Sequence, residues 1–192
     1  MDPEPAGDHG RPGLWRNPLT DGWEYRWNVL VALPGRSPES VDAVLASVDA
    51  AQANTVVQVT ETTGALRTPA TRNLVHAAAP LPDLLDGMDV AVVTGDAFVA
   101  LAAAQRRVPM VVLPADAAEQ AVGDALAAVG AAVVVPSAAE VGDAVRAVAS
   151  DGTTGPRIRE LARRLTPVSV LLAVLGTSAL RLVGRTVPSR RH

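Results

Sequence analysis

Few side chains in this 192-residue sequence are suited to chemistry. There is no Cys, which excludes disulfide scaffolds, thiol catalysis and Cys-ligated zinc. The three His stand at positions 9, 76 and 192, too scattered for a His-based centre, so no metal site is expected. His76 falls in an apolar run with no carboxylate partner placed by sequence, which suits a hydrogen-bonded structural histidine better than a general base. What remains are polar residues where apolar runs end: Ser37 after Pro34, Gly35 and Arg36, the turn Thr94, Gly95 and Asp96, and the pair Glu119 and Gln120. A turn from strand to helix presents backbone N–H groups that favour an anion, so these positions could hold a charged ligand. Each also has a structural role open to it. Ser37 and Asp96 are natural helix N-caps, and Glu119 and Gln120 fall in an amphipathic helix where solvation alone accounts for them. Arg106 and Arg107 occupy a loop, either solvated or offering a basic contact to an acidic partner. No catalytic residue is assigned.

The elements that must position these residues follow from hydropathy. Apolar runs alternate with amphipathic stretches from Trp27 onward, the pattern of successive βα units building a parallel sheet. The run from Asn28 to Leu33 is apolar almost throughout, as expected of a central strand covered on both faces. Pro38 at a first helical position and Val41, Val44, Leu45 and Val48 predict a helix to about Ala53. Val56, Val57 and Val59 mark a second strand and Leu74 to Ala77 a third, with a single helical turn closed by Gly87 after it. Val90 to Val93, Met110 to Leu113 and Ala132 to Val135 are the remaining strands. Helices are predicted from Ala97 to Gln105, from Asp116 to Val129 ended by Gly130, and from Ala138 to about Ser150 capped by Ser137. The predicted fold is one α/β domain: a doubly wound, Rossmann-like parallel sheet of about six strands, flanked by helices, with its ligand crevice at the carboxyl ends of the strands.

Residues 1–26 form a Pro- and Gly-rich tail and lead-in whose Trp15, Trp23 and Tyr25 are expected to pack on the domain. Residues 27–166 make the domain, and residues 167–192 an apolar helix with a basic tail. Composition excludes several classes of function. With 48% hydrophobic and 19% charged residues the chain has enough apolar surface to fold. A net charge of −3 offers no broad basic field, so nucleic-acid binding is not expected. Acidic residues near the N-terminus stand where a signal peptide needs basic ones, which makes the cytoplasm the expected location.

Residues 90–135 carry a distinctive order: a strand, the turn Thr94-Gly95-Asp96, a helix, then Val108, Pro109, Met110, Val111, Val112, Leu113 and Pro114, with Glu119 and Gln120 beyond. This order resembles the C-terminal, donor-binding half of GT-B glycosyltransferases of the UDP-glycosyltransferase type, particularly bacterial enzymes that glycosylate antibiotics. That family has His-Gly-Gly-x-Gly-Thr after the strand, a Glu on the helix, Gly-Val-Pro-Met-Val-Val-x-Pro, and Asp-Gln after four more residues. The first strand and turn and residues 79–85 also look like this family, and the resemblance covers about residues 27–165.

The resemblance implies a UDP- or dTDP-sugar ligand and no other cofactor. It points to Ser37, Thr94 and Gly95 as phosphate contacts and to Glu119 and Gln120 as partners for sugar hydroxyls. Four positions depart from the pattern. Thr94 replaces the His and brings one hydroxyl without cationic charge. Asp96 replaces a Gly and sets a carboxylate where an anion should sit. Phe98 replaces another Gly, with a ring expected to take up ligand space, and Ala102 replaces the Glu that contacts ribose.

The family's N-terminal half binds the acceptor and supplies the base, so the resemblance implies that glycosyl transfer needs an acceptor-binding partner. Two functions follow as expectations. One is a degenerate stand-alone half acting as an accessory or scaffolding protein in natural-product glycosylation; the alternative is the donor-binding subunit of a split hexosyltransferase. The partner is an N-terminal-type subunit, another biosynthetic enzyme or a second copy. Residues 168–183 are apolar on nearly every face, which makes Leu171, Leu172 and Leu175 interface candidates. Arg181 interrupts the stretch before the roughly 20 residues of a membrane span, leaving room only for weak peripheral membrane contact.

Overall fold

The structure, a computed structural model, describes residues 27–58 and 74–150. Six strands form one sheet: β1 (Asn28–Ala32), β2 (Asn54–Gln58), β3 (Leu74–Ala77), β4 (Val90–Val93), β5 (Met110–Val112) and β6 (Ala132–Val134). Their order is β3-β2-β1-β4-β5-β6, and every pair is parallel. The helices are α1 (Pro38–Ala50), α2 (Leu81–Leu84), α3 (Ala97–Gln105), α4 (Ala117–Ala128) and α5 (Val141–Ser150). The predicted α/β doubly wound parallel sheet is therefore the observed one, with β1 in its interior.

The strands read as unbroken apolar runs because both faces are covered. Alternate side chains feed two separate cores. Leu30, Ala32, Ala91, Val93, Met110 and Val112 join one core with Leu84 and Leu85 near α2, Val99 and Ala103 of α3 and Leu126 of α4. Val29, Val31, Val90, Val92 and Val111 join the other with Val41, Val44, Leu45 and Val48 of α1 and Val141, Val145 and Val148 of α5.

Several elements end one residue short of expectation, and three places differ by more than that. Helix α1 stops at Ala50 because Gln52 turns left-handed at φ 56°, its N–H bonding to the Asp49 carbonyl. β2 begins at Asn54, whose N–H reaches the Trp27 carbonyl and whose side-chain amide donates to Asn28; Val59 lies outside the described residues. The third concerns α5. Residues Ala138–Glu140 form a 3-10 turn, and the Ser137 hydroxyl donates to the Glu140 carboxylate at 2.9 Å instead of capping the backbone. The cap on α5 comes from another helix: Ser47 Oγ of α1 accepts the Gly142 N–H at 2.8 Å and donates to the Ala139 carbonyl at 3.1 Å. Only glycine fits at position 142, since a Cβ there would lie 2.1 Å from the Ser47 carbonyl oxygen.

Helices α3 and α4 end in the same way. Arg107 N–H bonds to the Ala104 carbonyl and Val108 N–H to Ala103, while Gly130 N–H bonds to Ala127 and Ala131 N–H to Leu126. This is the paired closure in which the residue past the cap turns left-handed, and glycine is the usual occupant. Gly130 has φ 72°, but Arg107 adopts φ 61° despite its side chain. The expected segment boundaries at residues 26 and 166, the aromatic residues Trp15, Trp23 and Tyr25, and the interface candidates Leu171, Leu172 and Leu175 lie outside the described residues. Among the described residues no helix is long and apolar enough to cross a membrane.

Candidate functional site

In a doubly wound sheet the ligand crevice opens where the chain, having built outward to one side, returns to build toward the other. Here that point lies between β1 and β4. From β1 the chain passes through α1 to β2, whereas from β4 it passes through α3 to β5 on the other side. The loops bordering the crevice are residues 33–37 after β1 and 94–96 after β4, with 113–116 after β5 alongside. Each leads into a helix, so three helix N-termini converge on the carboxyl edge of the sheet.

Each N-terminus is capped by the chain itself. Ser37 Oγ accepts the Ser40 N–H at 3.3 Å on α1. Asp96 Oδ1 accepts the Phe98 and Val99 N–H groups at 2.8 and 3.0 Å on α3. Asp116 Oδ1 accepts those of Ala118 and Glu119 at 2.8 and 2.9 Å on α4. The amides of Glu119 and Ala118, with the nearby Arg36 cation adding to them, hold the Asp116 carboxyl below its usual range. Its own backbone amide, then the Ser37 hydroxyl, does the same for Glu39.

Across the gap between the first and third loops runs an ion pair that the sequence did not reveal. Arg36 Nη2 donates to Glu119 Oε2 at 2.5 Å and to the Leu113 carbonyl at 2.8 Å. The same Glu119 oxygen accepts the Ala115 N–H at 2.7 Å. The side chains are only 13% and 24% exposed, so solvent screens this pair less than an ordinary surface bridge. Arg36 Nε is buried without a partner among the described residues. The only sequence signal for Arg36 is a single cation inside the turn that follows the first strand.

The other site residues predicted from sequence are spread over different environments. Thr94 is buried at 1% exposure, its Oγ1 3.4 Å from the Asp96 N–H that donates to it. Gly95 is pressed against α4: a Cβ there would lie 2.2 Å from the Glu119 carbonyl oxygen. Gln120 donates to Asp124 at 2.8 Å along the exposed side of α4. Ala102 packs at the edge of the first core. Phe98 differs from expectation. Its ring is 83% exposed and does not fill the crevice, because the Asp96 cap sets Phe98 in the first turn of α3 with its side chain in solvent. Arg106 pairs with Asp86, and Arg107 is exposed in its turn. His76 lies on the edge strand β3 in register with Val57. Among the described residues no group of three or more His, Asp or Glu is placed to hold a metal ion.

The sequence matches no protein-family model and no curated protein. Solved structures do match it. The glycotransferase of kitacinnamycin has a TM-score of 0.64 at 21% identity, over 95% of this chain and 48% of its own. The glycosyltransferase SsfS6 of Streptomyces sp. SF2575, complexed with thymidine diphosphate, has a TM-score of 0.60 at 20% identity, over 86% and 43%. Os79 of O. sativa, in complex with UDP, has a TM-score of 0.65 at 14% identity, over 83% and 42%. The chain thus spans less than half the length of each of these proteins. Its fold is that of one Rossmann-like half of a GT-B glycosyltransferase.

Proposed function

We propose that this chain is a glycosyltransferase-like accessory protein: a nucleotide-sugar half with a degenerate donor site that serves as a scaffolding partner in natural-product glycosylation. The observation that carries this reading is the self-capped crevice. Asp96 and Asp116 take the amides at the starts of α3 and α4, and Glu119 takes the Arg36 cation and the Ala115 amide. An incoming diphosphate would meet these carboxylates where it needs donors, and like charge repels it.

Calorimetric titration with UDP and dTDP tests the reading. Binding no tighter than about 1 mM, or about −4 kcal/mol, is expected. Micromolar affinity overturns it in favour of a second reading, the donor-binding subunit of a split glycosyltransferase. That alternative is favoured by Arg36, a cation held at the crevice, and by the nucleoside diphosphates bound to SsfS6 and Os79.

A further inference from the structure

We propose that Arg36 and the Ala115 amide form a binding site for a phosphate group, which Glu119 of the same chain occupies as a built-in ligand. The inference rests on the reading of a self-capped crevice and adds the donors that the carboxylate covers. One oxygen, Glu119 Oε2, sits 2.5 Å from Arg36 Nη2 and 2.7 Å from the Ala115 nitrogen, which is how two donors hold an oxyanion. The guanidinium has a further donor. Its Nε–H is buried and unpartnered among the described residues, and it points along the same edge of the planar fork as one Nη2 hydrogen. A single carboxylate oxygen leaves it unmet. A tetrahedral phosphate would set one oxygen where Oε2 lies and extend a second toward Nε, the side-on bidentate geometry for which arginine is suited.

Removing the carboxylate supplies the drive. Arg36, 13% exposed with Glu119 in place, would keep only the Leu113 carbonyl, and a poorly solvated cation that has lost its carboxylate recruits an anion. The neighbouring Asp116 carboxylate is already committed to the Ala118 and Glu119 amides.

The test titrates inorganic pyrophosphate by calorimetry into the full chain and its E119A, E119Q and R36A/E119A variants, with circular dichroism confirming the fold of each. Glu119→Gln keeps the side-chain length and an acceptor for Ala115 N–H, so it stands in if Glu119→Ala fails to fold. Pyrophosphate is expected to bind E119A at least about tenfold more tightly than the parent, with E119Q, whose neutral amide still covers the two donors, between them, and the gain is lost in R36A/E119A. Folded Glu119 variants that bind no better than the parent, or a double variant that keeps the gain, overturn the proposal. The parent's UDP titration reads the proposed function separately, so either idea can fail while the other stands.

Discussion

Replacing Gly95 with Ala adds one methyl group at the tightest junction of the crevice. Backbone conformation is no obstacle, since Gly95 is not among the residues with positive φ. The obstacle is α4. The new Cβ would lie 2.2 Å from the Glu119 carbonyl oxygen and 2.5 Å from its carbonyl carbon and Cα, all backbone atoms that cannot rotate away. Ordinary contact requires a retreat of about 1 Å. The first turn of α4 resists that retreat because the Asp116 cap and the Arg36 ion pair hold it. Overpacking of this kind costs about 1–3 kcal/mol, and the rigidity of the neighbour sets the value near the upper end. Lower chain entropy in the unfolded state returns about 0.4–1 kcal/mol. A net loss of about 2 kcal/mol corresponds to a Tm lower by roughly 4–8 °C for a chain of this size. Thermal unfolding followed by circular dichroism measures it. Gly35→Ala is the control: nothing lies within 4 Å of its Cβ, but φ is 76°, so its cost of about 1 kcal/mol comes from backbone conformation alone. A G95A protein as stable as the parent would refute the claim that Gly95 is required by packing against α4.

Arg107→Gly should stabilise the chain by about 0.5 kcal/mol, because φ 61° strains Arg but not Gly, and urea unfolding reads the change. Asp96→Ala removes the acceptor for two α3 amides and should cost about 1 kcal/mol in the same assay, whereas Asp96→Asn should cost much less. The Asp116 carboxyl titrates below its ordinary value of 3.8 in the folded chain, so its contribution is present above that value and lost as pH falls through the lower folded one. Stability of D116N measured from neutral pH into the acid range should therefore fall less steeply than that of the parent; identical slopes would contradict the assignment.

The sheet was legible because its signal is local. Strands β1, β4 and β5 are apolar on both faces, and Ser37, Pro38, Asp96, Gly87 and Gly130 mark helix ends through chemistry that acts within a turn. The Arg36–Glu119 pair was not legible, since its members stand 83 residues apart and meet only after β1 and β5 lie in one sheet. The Ser47 cap on α5 was hidden for the same reason, 95 residues separating hydroxyl and amide. Ser137 carried the proper cap signal, but Glu140 took its hydroxyl. Phe98 illustrates a further limit: its size and its place in the first turn of α3 were evident, but which side of that turn meets solvent depended on how α3 packs on the sheet.

The contact between α1 and α5 bears on how the domain opens. Ser47 bonds to both ends of the turn that starts α5, Gly142 admits the α1 backbone where a side chain would stand, and Arg146 Nη1 donates to the Ala50 carbonyl at 3.0 Å, near the end of α1. The two helices are thus joined along their length by groups that neither can satisfy alone. Loosening α1 leaves the Gly142 amide of α5 without its acceptor, and loosening α5 uncovers the same core that α1 covers. They are expected to open as one cooperative unit, so that amide exchange in the opening turn of α5 follows the fluctuations of α1, although 95 residues separate Ser47 from Gly142 in sequence.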